Sequence, residues 1–179
     1  MGSNMEKNLY LAIYKASLKN GTAFLKEAKI LFDNECYARS YFLAYSRLEE
    51  ISKSQMAADV YTGYKDESFF KELYRNHKKK VERVKWAHLD SLDFSVNGYM
   101  IKEITGLDFQ NIEEPTFEKR QMSMYIDVDL KTNKIYNPLV EFSEKEAFGV
   151  IHILETAISR IYEMVEDWGH QIGTKGFMK

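Results

Sequence analysis

Three observations predict an all-α fold with one small β insertion. Only two prolines and nine glycines punctuate the 179 residues, too few for a many-turned sheet architecture. Apolar residues recur at three- and four-residue spacing over long stretches. The one β signature is a short hairpin-like segment ahead of the last helix. A chain of this length fits a single domain, since domains of about 150 residues bury roughly two-thirds of their unfolded surface.

From Glu6 to about Phe32 the apolar positions Leu9, Ile13, Ala16, Phe24, Ala28 and Leu31 follow helical spacing, with Asn20-Gly21 marking a break between two pieces and Asp33-Asn34 the end. Glu35 to about Tyr61 is a second helix. Its residues 41–45 are apolar around most of the circumference, which demands more than one packing partner, inside a bundle or across a dimer. A third helix is expected from about Glu67 to Leu92, after Tyr64-Lys-Asp-Glu-Ser. The signal weakens between Asp93 and Glu114, and Pro115 then permits a short helical turn through about Gln121. Met124–Val128 and Lys134–Tyr136 flank Asp129–Asn133 as a hairpin closed by Pro138. An isolated hairpin is marginally stable, so this one must lean on helices. Ser143-Glu-Lys-Glu146 is a capping-box pattern opening a last long helix with Phe148, Ile151, Leu154, Ile158, Ile161 and Val165 on one stripe. Gly169, Gly173 and Gly176 loosen the C-terminal stretch. The domain is therefore placed at 5–170, with Met1–Asn4 an expression scar and 171–179 a flexible tail.

Lys plus Arg totals 25 against 27 Asp plus Glu, so no global charge marks a nucleic-acid or membrane protein. Cys36 is alone, which excludes an internal disulfide and suits a reducing cytoplasm. There is no apolar run of membrane-spanning length and no signal-peptide core at the start, so a soluble cytoplasmic protein is expected.

The charge asymmetry is internal. Residues 71–85 carry seven cations (Lys71, Arg75, Lys78, Lys79, Lys80, Arg83, Lys85) against Glu72 and Glu82, a local charge of +5. Such a cluster attracts phosphate oxygens whatever the net charge of the molecule. A solvated helix face is the ordinary alternative. Residues 141–167 have the opposite sign, seven acids against Lys145 and Arg160, so the two segments are complementary within a molecule or across a dimer. On a continuous helix His77 and His88 would fall on the apolar stripe with Phe70, Leu73, Val81 and Val84, about 16 Å apart and too distant for one small site. His77 is the better candidate, since Arg75, Lys78, Lys79 and Lys80 surround it; His88 reads as a packed core residue.

On the second helix, Lys53 can pair with Glu49 at i,i+4 or with Glu50 at i,i+3. Glu49 sits at the edge of the apolar stripe beside Phe42 and Met56 and needs a donor, whereas Glu50 points well away. Either Glu49 and Lys53 form an ordinary intrahelical pair, or they orient His77. A dinuclear metal in a helical bundle expects Glu-x-x-His on two helices. No such pair occurs, and Asp167-x-x-His170 is the nearest match, so no metal and no cofactor are expected. Glycine-rich phosphate loops are absent, and nothing in sequence places a histidine near Cys36 for nucleophilic chemistry.

Ala38–Lys53, Phe69–Lys80, and Arg120 with Met124-Tyr125-Ile-Asp127 and Pro138 together resemble the AbiV family of abortive-infection proteins, over most of residues 9–165. The resemblance implies a HEPN-like helical bundle, commonly a homodimer, among whose relatives are enzymes that cut RNA without metal. It implies an antiphage role, RNA as partner, and a phage or host protein as a further partner. HEPN nucleases carry Arg, four to six residues, then His; Arg83-x4-His88 meets that spacing, yet residues five apart on one helix point about 140° away from each other. The positions matching the AbiV pattern are Glu49, Glu50, Lys53, His77 and Lys80. The expectation is a metal-independent endoribonuclease with His77, Glu49, Lys80 and Lys53 catalytic and Arg75, Lys78, Lys79, Arg83 and Lys85 binding RNA. Glu50, His88, Arg120, Tyr125 and Asp127 are secondary candidates. The alternative is a non-catalytic HEPN-like module that binds RNA, a nucleotide or a protein.

Overall fold

A computed structural model of the chain describes residues 2–79, 81–82, 115–161, 164–165, 169–172 and 176–178. Its elements are α1 (Gly2–Asp33), α2 (Tyr37–Tyr61), α3 (Glu67–Leu73), α4 (Phe117–Met122), β1 (Asp127–Asp129), β2 (Lys134–Tyr136), α5 (Pro138–Glu141), α6 (Glu144–Ile161), β3 (Met164–Val165), β4 (Gly169–Ile172) and β5 (Gly176–Met178). The fold is helical, with a two-stranded antiparallel hairpin before the last helix. Residues gather into two compact units: Met1–Thr22, Leu48–Leu92 and Ala157–Lys179 in the first, Ala23–Arg47 and Asp93–Thr156 in the second.

In the first unit the core is Tyr10, Tyr14, Met56, Ala57, Ala58, Val60 and Phe70. Tyr10 meets Phe70 edge-on at 5.3 Å. The buried face of α1 is thus rotated by one residue from the Leu9/Ile13/Ala16 stripe: Tyr10, Tyr14 and Ser17 are buried while Leu9 is 56% exposed. Two aromatic rings bury more surface than Leu9 and Ala16 would, and they set the face. The expected break at Asn20-Gly21 does not occur either. Gly21 is buried in line with Ser17 and Ala28, so tertiary packing outweighs the roughly 0.5–1 kcal/mol that a mid-helix glycine costs.

α2 is enclosed from Ser54 through Val60 without an exposed residue. Its serines make this possible by bonding their own helix: Ser46 Oγ donates to Phe42 O, Ser52 to Leu48 O and Ser54 to Ile51 O. Gln55 is different, since it is 1% exposed and neither its Nε2 nor its Oε1 has a hydrogen-bond partner among the described residues.

The expected continuous helix over 67–92 is interrupted. Asp66 caps α3 by accepting from Phe69 N at 3.1 Å, and its carboxyl is held below the usual range by the Ser68 hydroxyl and that amide. α3 stops at Leu73, Tyr74 and Arg75 form a turn, and helical structure restarts at His77.

In the second unit α1 ends on Glu35 in the left-handed region (φ 60°), with Cys36 N donating to Leu31 O and Glu35 N to Phe32 O, a Schellman arrangement. The chain reverses there, and Ser40 Oγ reaches Ala28 O at 2.8 Å. Arg39 Nη1 donates to Ser123 O and Met124 O, fixing the segment between α4 and the hairpin. Thr116 caps α4 and Asn137 caps α5 with Pro138 in its first turn. The hairpin pairs Asp127 with Tyr136, Val128 with Ile135 and Asp129 with Lys134. Ser143 Oγ accepts from Glu146 N, half of the expected capping box; the Glu146 carboxylate instead pairs with Lys119. Lys29 Nζ grips both oxygens of Glu155 at 3.0 and 2.8 Å. Two acids of the 141–167 segment thus take partners outside the basic segment.

α6 ends at Ile161, so Val165 belongs to β3 and not to the helix as its stripe suggested. The stretch expected to be loose contains β4 and β5, paired antiparallel with β3 on one side and each other on the next.

These contacts set two stability outcomes. Gln55→Met keeps the volume and removes an amide whose burial without a partner costs about 1–3 kcal/mol, so its thermal midpoint should equal or exceed the parent's. His152 packs on Phe148 (centroids 4.1 Å apart), and burial depresses its pKa; the carboxylate of Glu155 raises it in part and Lys29 lowers it further. A native pKa below the unfolded 6.5 means that the unfolded chain binds more protons. The stability contribution is therefore present above 6.5 and lost as pH falls through the depressed value. Thermal unfolding between pH 7.5 and 5 should show a steeper loss for the parent than for His152→Gln.

Candidate functional site

The site begins with α2, whose helical repeat brings Glu49 to a buried position at 4% exposure. A carboxylate there requires a donor. It finds one 28 residues on, where His77 Nδ1 lies 2.9 Å from Glu49 Oε2. The two side chains have opposite surroundings, 6% exposed for Glu49 and 48% for His77. A carboxylate only accepts, so the shared proton rides on Nδ1.

The break after α3 creates this geometry. Asn76 Oδ1 accepts from Lys79 N at 3.0 Å, which caps the restarted turn and puts His77 at its first position. On an uninterrupted helix His77 would have shared a stripe with Phe70 and Val81, which are buried at 6% and 3%. The restart releases it from that stripe, so the ring is neither sealed in the core nor free of it.

Around His77 the cations Arg75, Lys78 and Lys79 are all exposed. Tyr74 stacks on Phe70 at 8° between ring planes, and the Arg75 guanidinium lies 5.1 Å from the Tyr74 centroid. Lys71 pairs with Glu67 one turn back. Lys80, Arg83, Lys85 and His88 lie outside the described residues.

Lys53 selects Glu50 at i,i+3, with Nζ 2.5 Å from Oε1. Glu50 is also more enclosed than its helical angle suggested, at 14% side-chain exposure. The two therefore form a half-buried pair one residue along from Glu49. Arg120, Tyr125 and Asp127 belong to the second unit. Arg120 lies over the Phe42 ring at 4.4 Å and bonds Gln121 Oε1. Tyr125 is 63% exposed. Asp127 Oδ1 accepts from Val128 N. Asn76 is the residue that sequence reading missed; Asn followed by a cationic run inside an expected helix is the signal for a cap.

The described residues thus build a helical fold with a small hairpin before its last helix, and its second helix presents a buried glutamate to a histidine. The HEPN AbiV family model, described as AbiV, matches residues 9–158, and the chain belongs to that family. No curated protein and no solved structure gives a match.

The Glu49–His77 bond can be measured by a double-mutant cycle in urea. Glu49→Ala and His77→Ala should each destabilise, and the double variant should lose less than their sum by about 0.5–1.5 kcal/mol. Strict additivity would mean that the two side chains do not interact in solution.

Proposed function

We propose that this AbiV protein acts in abortive infection by binding RNA and cleaving it through acid/base chemistry without a metal, as a homodimer. The observation that carries the reading is an imidazole whose Nδ1 is held by a buried carboxylate while its ring stays half exposed among exposed cations. That pairing suits a proton carrier, because the carboxylate fixes the tautomer and stabilises the imidazolium once Nε2 has taken a proton.

In the proposed reaction Nε2 of His77 removes the proton of a ribose 2′-hydroxyl, and the 2′-oxygen forms a bond to the neighbouring phosphorus. The bond from phosphorus to the 5′-oxygen breaks, and the imidazolium returns its proton to that leaving oxygen. The products are a 2′,3′-cyclic phosphate and a 5′-hydroxyl, with no water or oxidant consumed. Lys80, with Arg75 or Arg83, would offset the charge that develops on the phosphoryl oxygens. Lys78, Lys79 and Lys85 would hold the flanking phosphates, a salt-sensitive term. Glu49 acts as a positioning residue, and Lys53 keeps Glu50 neutralised beside it.

Incubation with total cellular RNA in chelator tests this directly. The parent should yield fragments ending in cyclic phosphate. His77→Ala should be slower by at least about 100-fold, the usual worth of a general acid/base, while binding RNA within a few-fold of the parent. Equal rates would remove His77 from catalysis. Salt-dependent binding by a parent that never cleaves would replace the enzyme with the non-catalytic binding module.

A further inference from the structure

A row of side chains in ring contact runs from the core of the first unit to the basic surface beside His77. The buried Tyr10 meets the buried Phe70 edge-on, and Phe70 lies 5.3 Å from the half-buried Tyr74 with their planes 8° from parallel. The exposed Arg75 follows, its guanidinium 5.1 Å from the Tyr74 centroid. Each member rests on the one before it, so the outermost group is steadied by packing that begins in the core.

Arg75 differs from the paired cations of this unit. Lys71 bonds Glu67 and Lys53 bonds Glu50, whereas among the described residues no acceptor takes a bond from Arg75. Glu72 would meet it at i,i+3 on a continuous helix. α3 ends at Leu73, however, and the turn over Tyr74 and Arg75 brings the guanidinium to a ring instead. The break that displays the imidazole therefore also displays a guanidinium whose N–H groups are unbonded and whose position a ring secures. A cation that only clamps phosphate uses its edges and needs no ring behind it. A guanidinium held against a ring can offer a flat, weakly hydrated plane, and nucleobases stack on such planes. Two residues of chain span at most about 7 Å, so Arg75 and His77 address neighbouring groups of one strand.

We propose that Arg75 is a stacking plane for an unpaired base, in a nucleotide adjoining the cleaved phosphate, with purines preferred. The inference rests on the reading of His77 as the centre of RNA cleavage, and it gives that site a substrate class, single-stranded RNA. Inside a duplex both faces of a base are covered by its neighbours, so only an unpaired base can lie on Arg75. Fused purine rings cover more of the plane than a single pyrimidine ring does, and stacking strength then sets the preference. With Arg75 assigned to a base, the charge that develops on the phosphoryl oxygens is left to Lys80 and Arg83.

Calorimetric titration with three hexamers tests this, each 2′-O-methylated so that no 2′-hydroxyl can attack: adenosine, uridine, and an abasic ribose phosphate of the same charge. The parent should bind them in that order, adenosine about tenfold tighter than the abasic strand, as one base stacked on a side chain gives. Arg75→Lys keeps the charge and loses the plane. It should bind all three with the parent's affinity for the abasic strand, to within about twofold. Any preference for bases that survives Arg75→Lys overturns the inference. An equal loss on all three strands would make Arg75 a phosphate clamp and overturn it as well. A parent that binds the three alike keeps the RNA reading and lacks the subsite. A parent that binds none of them lacks the subsite too, and if it also binds no cellular RNA the RNA reading falls with it.

Discussion

Burial of α2 is the constraint on which the rest depends. A helix with no exposed side over Ser54–Val60 must dispose of every polar group it carries, and this one carries Ser46, Glu49, Ser52, Ser54, Gln55 and Asp59 in buried positions. The hydroxyls fold onto carbonyls three or four residues back, so they behave as small packing residues. Glu49 has no such short route. Its carboxylate accepts from His77, and that demand reaches across 28 residues to organise the chain after α3. The proposed chemistry is thus a by-product of satisfying one acid in a crowded helix.

Much of this is legible from residue types alone. Scarce proline and glycine point to the helical class, the Ser143 pattern marks the start of α6, and Asp129–Asn133 marks the hairpin turn that Asp129 closes through Lys131 N and the Thr132 hydroxyl. Glu49 and His77 stand out because an acid at the edge of an apolar stripe needs a donor, and a histidine in a cationic run is poorly placed for a core. Membership of the AbiV family, over residues 9–158, agrees with the motifs that carry the resemblance.

The features that escape a sequence reading do so for physical causes. The α1 face shifts by one position because tyrosine, which hydropathy ranks below leucine, has a ring that buries more area. Asn20-Gly21 looks like a break because local propensity cannot weigh the packing on either side of it. The restart at His77 is hidden by apolar residues at Leu73, Tyr74, Val81 and Val84, whose spacing continues through the interruption; only the cap at Asn76 betrays it. The helical angle of Glu50 alone places it outside the core, but a neutralising Lys53 three residues on allows a carboxylate to sit deeper.

The same restart has an evolutionary reading. Since a single amide at position 76 begins the turn that displays the imidazole, the angle of that display is set apart from the Tyr10–Phe70 packing behind it. In the proposed reading, exchanges within 75–79 redirect what the basic rim binds while the scaffold stays intact. For the proposed antiphage role such a separation is an advantage, because the surface around the imidazole can diversify faster than the core.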